Sequence, residues 1–189
     1  MMAKLILVRH AEVQIEKEID PTLWKLSPEG RESIHQLSKA NVWRDIQKIY
    51  TSPETKAIET AQILAAHHRL DVETIEDLRE VDRSHGGFLP HYEEAAKEFF
   101  TKEGENIFGW ERAIDAEGRI VRGIERLVRA NRESSIAVVS HGLVLTLYVT
   151  FITSRRGERL NVWKKIGFPA YMVLNRQTGN VIKDWMKTE

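Results

Sequence analysis

The sequence predicts an α/β fold: a three-layer sandwich with a mostly parallel central sheet, helices on both faces and a small helical lid insertion. Two short runs, Leu5-Ile6-Leu7-Val8 and Ile136-Ala137-Val138-Val139, are apolar at every position, as strands buried on both faces require. Segments of strand and helix character alternate along the chain, the pattern of a parallel sheet wrapped by helices. At the end, Ala170 to Leu174 and Val181 to Trp185 flank a turn at Gln177 to Asn180. They read as a hairpin that adds an antiparallel edge.

The elements follow in order. After the first strand, Ser27-Pro28-Glu29-Gly30 is a helix start, with Ser27 as N-cap and Pro28 at the first helical position. Gly30 suits a permissive first turn, and Ile34 and Leu37 continue the helical face toward Lys39. Gln47 to Tyr50 is a second strand. Ser52-Pro53 turns the chain into a helix over Glu54 to Ala66, with an apolar stripe of Ala57, Ala61, Leu64 and Ala65. Val72 to Ile75 is a brief extended segment. Between Asp82 and Trp110 the pattern weakens around Gly86-Gly87, Pro90, Gly104 and Gly109, and Tyr92 to Lys102 reads as an isolated amphipathic helix. Ala113 to Arg129 is a long helix, and Leu143 to Phe151 is helical despite its β-branched content. The whole chain, 1–189, is expected to form one domain, with a lid insertion at about 82–110.

Composition narrows the function. The 189 residues carry 28 basic and 28 acidic side chains, a formal net charge of zero. No basic excess or stripe points to nucleic acid. The absence of cysteine removes disulfides, thiolate nucleophiles and Cys-based metal sites. No apolar run approaches the ~20 residues that span a bilayer, and the N-terminus lacks a signal-peptide pattern. The expectation is a cytoplasmic protein that engages neither membrane nor nucleic acid.

The chemistry lies where two apolar strands each end in a histidine, in Val8-Arg9-His10 and Val139-Ser140-His141. In open α/β sheets, ligands sit beyond the carboxyl ends of the strands. Both imidazoles should therefore reach one rim from distant parts of the chain. Arg9 beside His10 suggests phosphate, because the guanidinium fork donates two parallel hydrogen bonds to it. A neutral imidazole is a competent nucleophile toward phosphorus. Gly142 permits close backbone approach, and the helix after it should aim its first amides at an anion. His35, His67, His68 and His91 read as solvated or locally satisfied side chains. His85, in the loop after Glu80, is left undecided.

These segments resemble the histidine phosphatase superfamily, which includes the cofactor-dependent phosphoglycerate mutases. Leu7 to Glu12 resembles its Arg-His-Gly-Glu-Thr signature, and Leu26 to Gly30 its first-helix start. Thr51-Ser52-Pro53 through Lys56-Ala57 to Thr60-Ala61 resembles its second motif, Leu78 to Asp82 its acid-bearing segment, and Val139 to Gly142 its last catalytic motif. The five blocks occur in the family's order over about three quarters of the chain.

The resemblance implies a metal-independent phosphatase that works through a phosphohistidine on His10. Arg9 and His141 would bind the phosphoryl oxygens together with Lys56 and Gly142. Glu80, preferred over Asp82, Glu76 and Glu12, would protonate the leaving alkoxide and then activate water. No cofactor and no metal cluster is expected. The implied partner is a small phosphorylated substrate, with a phosphoprotein as the lesser alternative. Oligomeric state stays open.

Two departures stand out. Lys56 occupies the usual place of an Arg and loses the bidentate fork. Ala11 and Val13 replace the usual Gly and Thr, which adds a methyl and removes a hydroxyl near the substrate. Arg83 and His85 follow Glu80 and could touch substrate. Phe88, Tyr92, Phe99, Phe100, Phe108 and Trp110 would line a lid or, preferably, form core under the inserted helix. A mutase and a catalytically weak phosphate-binding module remain the alternative functions, the second kept open by Lys56.

Overall fold

The two wholly apolar segments become adjacent central strands of one six-stranded sheet. The computed structural model describes residues 3–83 and 87–187. Its strands are β1 (Lys4–Arg9), β2 (Ile46–Thr51), β3 (Asp71–Thr74), β4 (Ser135–Ser140), β5 (Ala170–Asn175) and β6 (Val181–Lys187). The order across the sheet is β3-β2-β4-β1-β5-β6. The first four run parallel, and β5 and β6 pair antiparallel at one side. The helices are α1 (Pro28–Ser38), α2 (Thr55–His68), α3 (Tyr92–Thr101), α4 (Ala113–Ala130), α5 (Gly142–Ile152) and α6 (Arg159–Lys165).

Successive side chains on a strand point to opposite faces, and the core divides accordingly. Leu5, Leu7, Ile136 and Val138 pack with α3, α4 and α5, whereas Ile6, Val8, Ala137 and Val139 pack with α1 and α2. That arrangement produces the three layers. Among the described residues, no helix is long and apolar enough to cross a membrane.

Ser27 caps α1 as expected: its Oγ accepts the Gly30 amide at 2.9 Å, and Pro28 opens the helix. Gly30 has a different reason from the one anticipated. A Cβ there would lie 2.2 Å from the Glu12 carbonyl oxygen, so glycine lets α1 dock on the backbone just past the first strand. Gly30→Ala is therefore expected to displace that backbone and cost about 1–3 kcal/mol or more. Thermal unfolding followed by circular dichroism measures it, and an unchanged midpoint would contradict the packing.

Two local features differ from expectation. The helix in the 82–110 segment is not isolated, because Ala95, Ala96, Phe99 and Phe100 of α3 enter the same cluster as α4 and α5. Trp110 is also buried in that cluster, whereas Phe108 is exposed. The short helix α6 was not anticipated from sequence. It has no side-chain cap, and its place is set by tertiary contacts: Val162 is buried, and the buried Arg159 pairs with Glu117 and Glu103.

Candidate active site

Parallel pairing of β1 with β4 puts Arg9 opposite Ser140, so His10 and His141 emerge side by side. The His10 amide donates to the Ser140 carbonyl at 3.0 Å, which extends the pairing one residue beyond the strands. The two imidazole centroids lie 5.2 Å apart. A cavity of about 220 Å³ opens over this rim, with Arg9, His10, Lys56, Glu80 and Arg83 among its lining residues. His141 is fully buried beside His10 and is not among the lining residues.

The proton on His10 can be placed. Nδ1 is 2.7 Å from the Ala11 carbonyl oxygen. A carbonyl only accepts, so Nδ1 carries the hydrogen and Nε2 keeps its lone pair. Burial, followed by the charges of His141, Lys56 and Arg9, holds the imidazole pKa well below its ordinary value. The ring is therefore neutral and nucleophilic near pH 7. Thr60 steadies this turn: its Oγ1 accepts the Ala11 amide and donates to the Lys56 carbonyl. The Ala11 methyl points into the core with Leu26 and Ile34, not into the cavity. Val13 does line the cavity.

Arg9 is held from two sides. Nη1 donates to the Ile166 carbonyl at 2.7 Å, and the guanidinium lies 3.4 Å over the Phe168 ring. Gly142 gives it room, since a Cβ there would sit 3.0 Å from the guanidinium carbon. Burial lowers the Arg9 pKa to about 10, which leaves it charged at neutral pH. Arg9 Nε and His141 Nδ1 are buried without a hydrogen-bond partner among the described residues. Buried polar nitrogens are normally satisfied, and the Arg9 Nε–H, always a donor, is left open to an acceptor beside His10.

Glu80 corrects one expectation. The first amides of α5 do face an anion, but it is the protein's own carboxylate. Leu143 and Val144 amides donate to Glu80 at 3.2 Å each, and the Val81 amide donates at 3.0 Å. Burial, followed by the charge of Glu54, raises the Glu80 pKa, while the amides oppose the rise. Its loop is clamped by Arg119 of α4, which donates to the carbonyls of Asp77, Arg79 and Glu80. Ser140 adds a bond from Oγ to the Leu78 carbonyl. Of the competing acids, Glu76 is exposed and paired with Arg79, and Asp82 and Glu12 are exposed.

Sequence reasoning missed Glu54. It is buried and joins three other groups of the site. Its carboxylate accepts from Lys56 Nζ and from the Glu80 amide at 2.7 Å, and one oxygen lies 3.4 Å from His141 Nε2. Ser52 Oγ is hydrogen-bonded to the same His141 nitrogen at 2.7 Å. A signal for Glu54 did exist: it follows the carboxyl end of a third parallel strand, β2, whose neighbour is β4. Lys56 lines the cavity, and its ammonium donates to Glu54 and the Pro21 carbonyl. Arg83 lines the cavity. His85 lies outside the described residues. His35 and His91 are exposed, and His68 bonds the Ser38 carbonyl, in keeping with their reading as ordinary surface or locally satisfied side chains.

The fold and this rim define a class. The sequence profile of the histidine phosphatase superfamily, branch 1, matches residues 5–176. The chain belongs to that superfamily. No curated protein is close enough in sequence to match. Solved structures with the same fold include the mycobacterial glucosyl-3-phosphoglycerate phosphatase, at 16% identity over 99% of both chains and a TM-score of 0.76. Another is YhfR of Bacillus stearothermophilus, at 20% identity over 96% of both chains and a TM-score of 0.76. A third is the phosphoserine phosphatase of Entamoeba histolytica in complex with 3-phosphoglyceric acid, at 22% identity over 100% of this chain and 98% of that one, with a TM-score of 0.75.

Proposed function

We propose that the protein is a phosphomonoesterase that carries the phosphoryl group on His10. The observation that supports this best is the hydrogen bond from His10 Nδ1 to the Ala11 carbonyl, which leaves Nε2 as a lone pair on the cavity floor beside Arg9 and Lys56. Nε2 attacks phosphorus, and the ester P–O bond breaks as Glu80 gives its proton to the departing alkoxide. The positive charge that appears on the ring is stabilised through Nδ1–H by Ala11. Water then attacks phosphorus, its proton passes to the Glu80 carboxylate, and the N–P bond breaks to release phosphate. Arg9, through its unpartnered Nε, and Lys56 take the non-bridging oxygens, and His141, in the tautomer with hydrogen on Nδ1, adds a donor from beside His10. Gly142 lets Arg9 approach. The chain works as one domain, with the segment at about 82–110 supplying one wall of the site.

Rapid quenching with a ³²P-labelled substrate tests the reading. The label is expected on the protein in an acid-labile, base-stable form that maps to His10. Turnover without a trappable phosphoenzyme would sink it. Gly142→Ala is expected to leave the melting temperature within a few degrees, since the guanidinium can move. It should weaken inorganic phosphate or vanadate inhibition about tenfold, by displacing the Arg9 fork. A second reading, a weak phosphate-binding module, draws on the Glu54–Lys56 pair, which offsets one cation of the cup. Phosphate binding with no turnover across many monoesters would favour it.

A further inference from the structure

The cavity that holds His10 is charged at its floor and apolar on its walls. Beyond Arg9, His10, Lys56 and Glu80, the described lining includes Val13, Ile15, Trp24, Phe88, Leu89 and Phe168, with Tyr92 beside them. Ile15 is 53% exposed and Phe168 is 47% exposed. Large apolar side chains gathered at one mouth, rather than scattered singly, mark a surface that something covers. Phe168 also ties the wall to the chemistry: its ring lies 5.4 Å from the His10 ring and stacks on the Arg9 guanidinium.

Arg83 is the remaining cation on this wall, and its guanidinium rests over the Tyr92 and Trp110 rings at 5.2 and 5.7 Å. It also sits in the fields of Asp20 and Glu80. Stacking on those two rings holds the guanidinium against the apolar wall. A cavity of about 150 Å³ is enough to hold a benzene ring, and this one is about 220 Å³.

Resting on the phosphatase reading above, we infer that the substrate is the phosphate monoester of an apolar alcohol, aromatic or alkyl. Its phosphoryl group meets His10, and its organic group lies against Val13, Ile15, Trp24, Phe88 and Phe168. Val13, where the family usually has Thr, belongs to this wall: a methyl stands where a hydroxyl would have met a polar substrate.

A series of n-alkyl phosphates from methyl to hexyl tests this, because their leaving alcohols are similarly basic. Benzyl phosphate, O-phosphoserine and 3-phosphoglycerate complete the panel. The value of kcat/KM is expected to rise about threefold to fourfold per added methylene until the cavity is full. Benzyl phosphate should exceed O-phosphoserine by about a hundredfold. Ile15→Ser, at an exposed position, should lower the hexyl-to-methyl ratio severalfold. A flat alkyl series, an unchanged ratio in Ile15→Ser, or a preference for either carboxylated substrate would overturn the apolar class and leave the phosphatase reading standing. No His10-dependent turnover of any member would overturn both.

Discussion

His10→Ala is expected to lose at least about 10⁴-fold in kcat for phosphomonoesters. Under the proposed mechanism the substitution removes the nitrogen that receives the phosphoryl group, and among the described residues no neighbouring side chain is placed to replace it. His141 is fully buried, Lys56 is bound to Glu54, and Arg9 stays protonated at neutral pH. The loss should fall on kcat and leave the fold intact. His10 is neutral, and its ring bonds the adjacent carbonyl, so no buried charge is left unpaired by its removal. Parallel measurement of turnover and thermal unfolding separates these effects. A variant that retains its melting temperature and more than a tenth of its activity would refute the nucleophile assignment.

Glu80→Gln is expected to show the second largest effect, about 10²–10³-fold in kcat for alkyl phosphates. An alkoxide leaves poorly without a proton, and glutamine has none to give. With p-nitrophenyl phosphate, whose leaving group needs no proton, the first step should survive while hydrolysis of the phosphoenzyme stalls. A burst of nitrophenolate followed by a slow steady state is the signature, and equal losses on both steps would argue against the acid–base role.

The sign of the pH dependence follows from the same group. In the proposed mechanism Glu80 acts first as an acid, so activity requires its protonated form. Burial and Glu54 raise its pKa above the ordinary carboxylate value. Activity therefore falls as pH rises through that raised pKa. On the acid side, His10 must stay neutral, and its lowered pKa keeps it so well below the usual imidazole range. Glu54→Gln removes a neighbouring negative charge, lowers the Glu80 pKa and should move the alkaline limb to lower pH. A rate profile of kcat in the two proteins reads that displacement. An unmoved limb would mean that Glu54 serves to position its partners and does not set the Glu80 pKa.

Much of this architecture was legible in the chain. Two stretches apolar at every position announced the central parallel strands, and a histidine at the end of each placed both imidazoles on one rim. Ser27-Pro28 marked the start of α1, and the apolar alanine stripe marked the buried face of α2. These features are local: a strand's period, a cap's hydroxyl and a strand's end are written in consecutive residues. The same holds for Arg9 beside His10 and for Gly142 after His141.

What the tertiary structure decided are partnerships across the chain. Glu54 entered only as the first residue of a helix, and it is the loop carrying Glu80, 26 residues later, that brings an amide to its carboxylate. Arg119 drew no notice within the long helix, yet it grips three carbonyls of the acid-bearing loop. Phe168 carried no signal at all, and it covers a guanidinium 159 residues earlier. The α5 amides face Glu80 for the same reason. A sequence specifies which groups carry charge or hydrogen-bonding capacity, but the identity of a buried group's partner depends on which distant segment the packed core brings within about 3 Å.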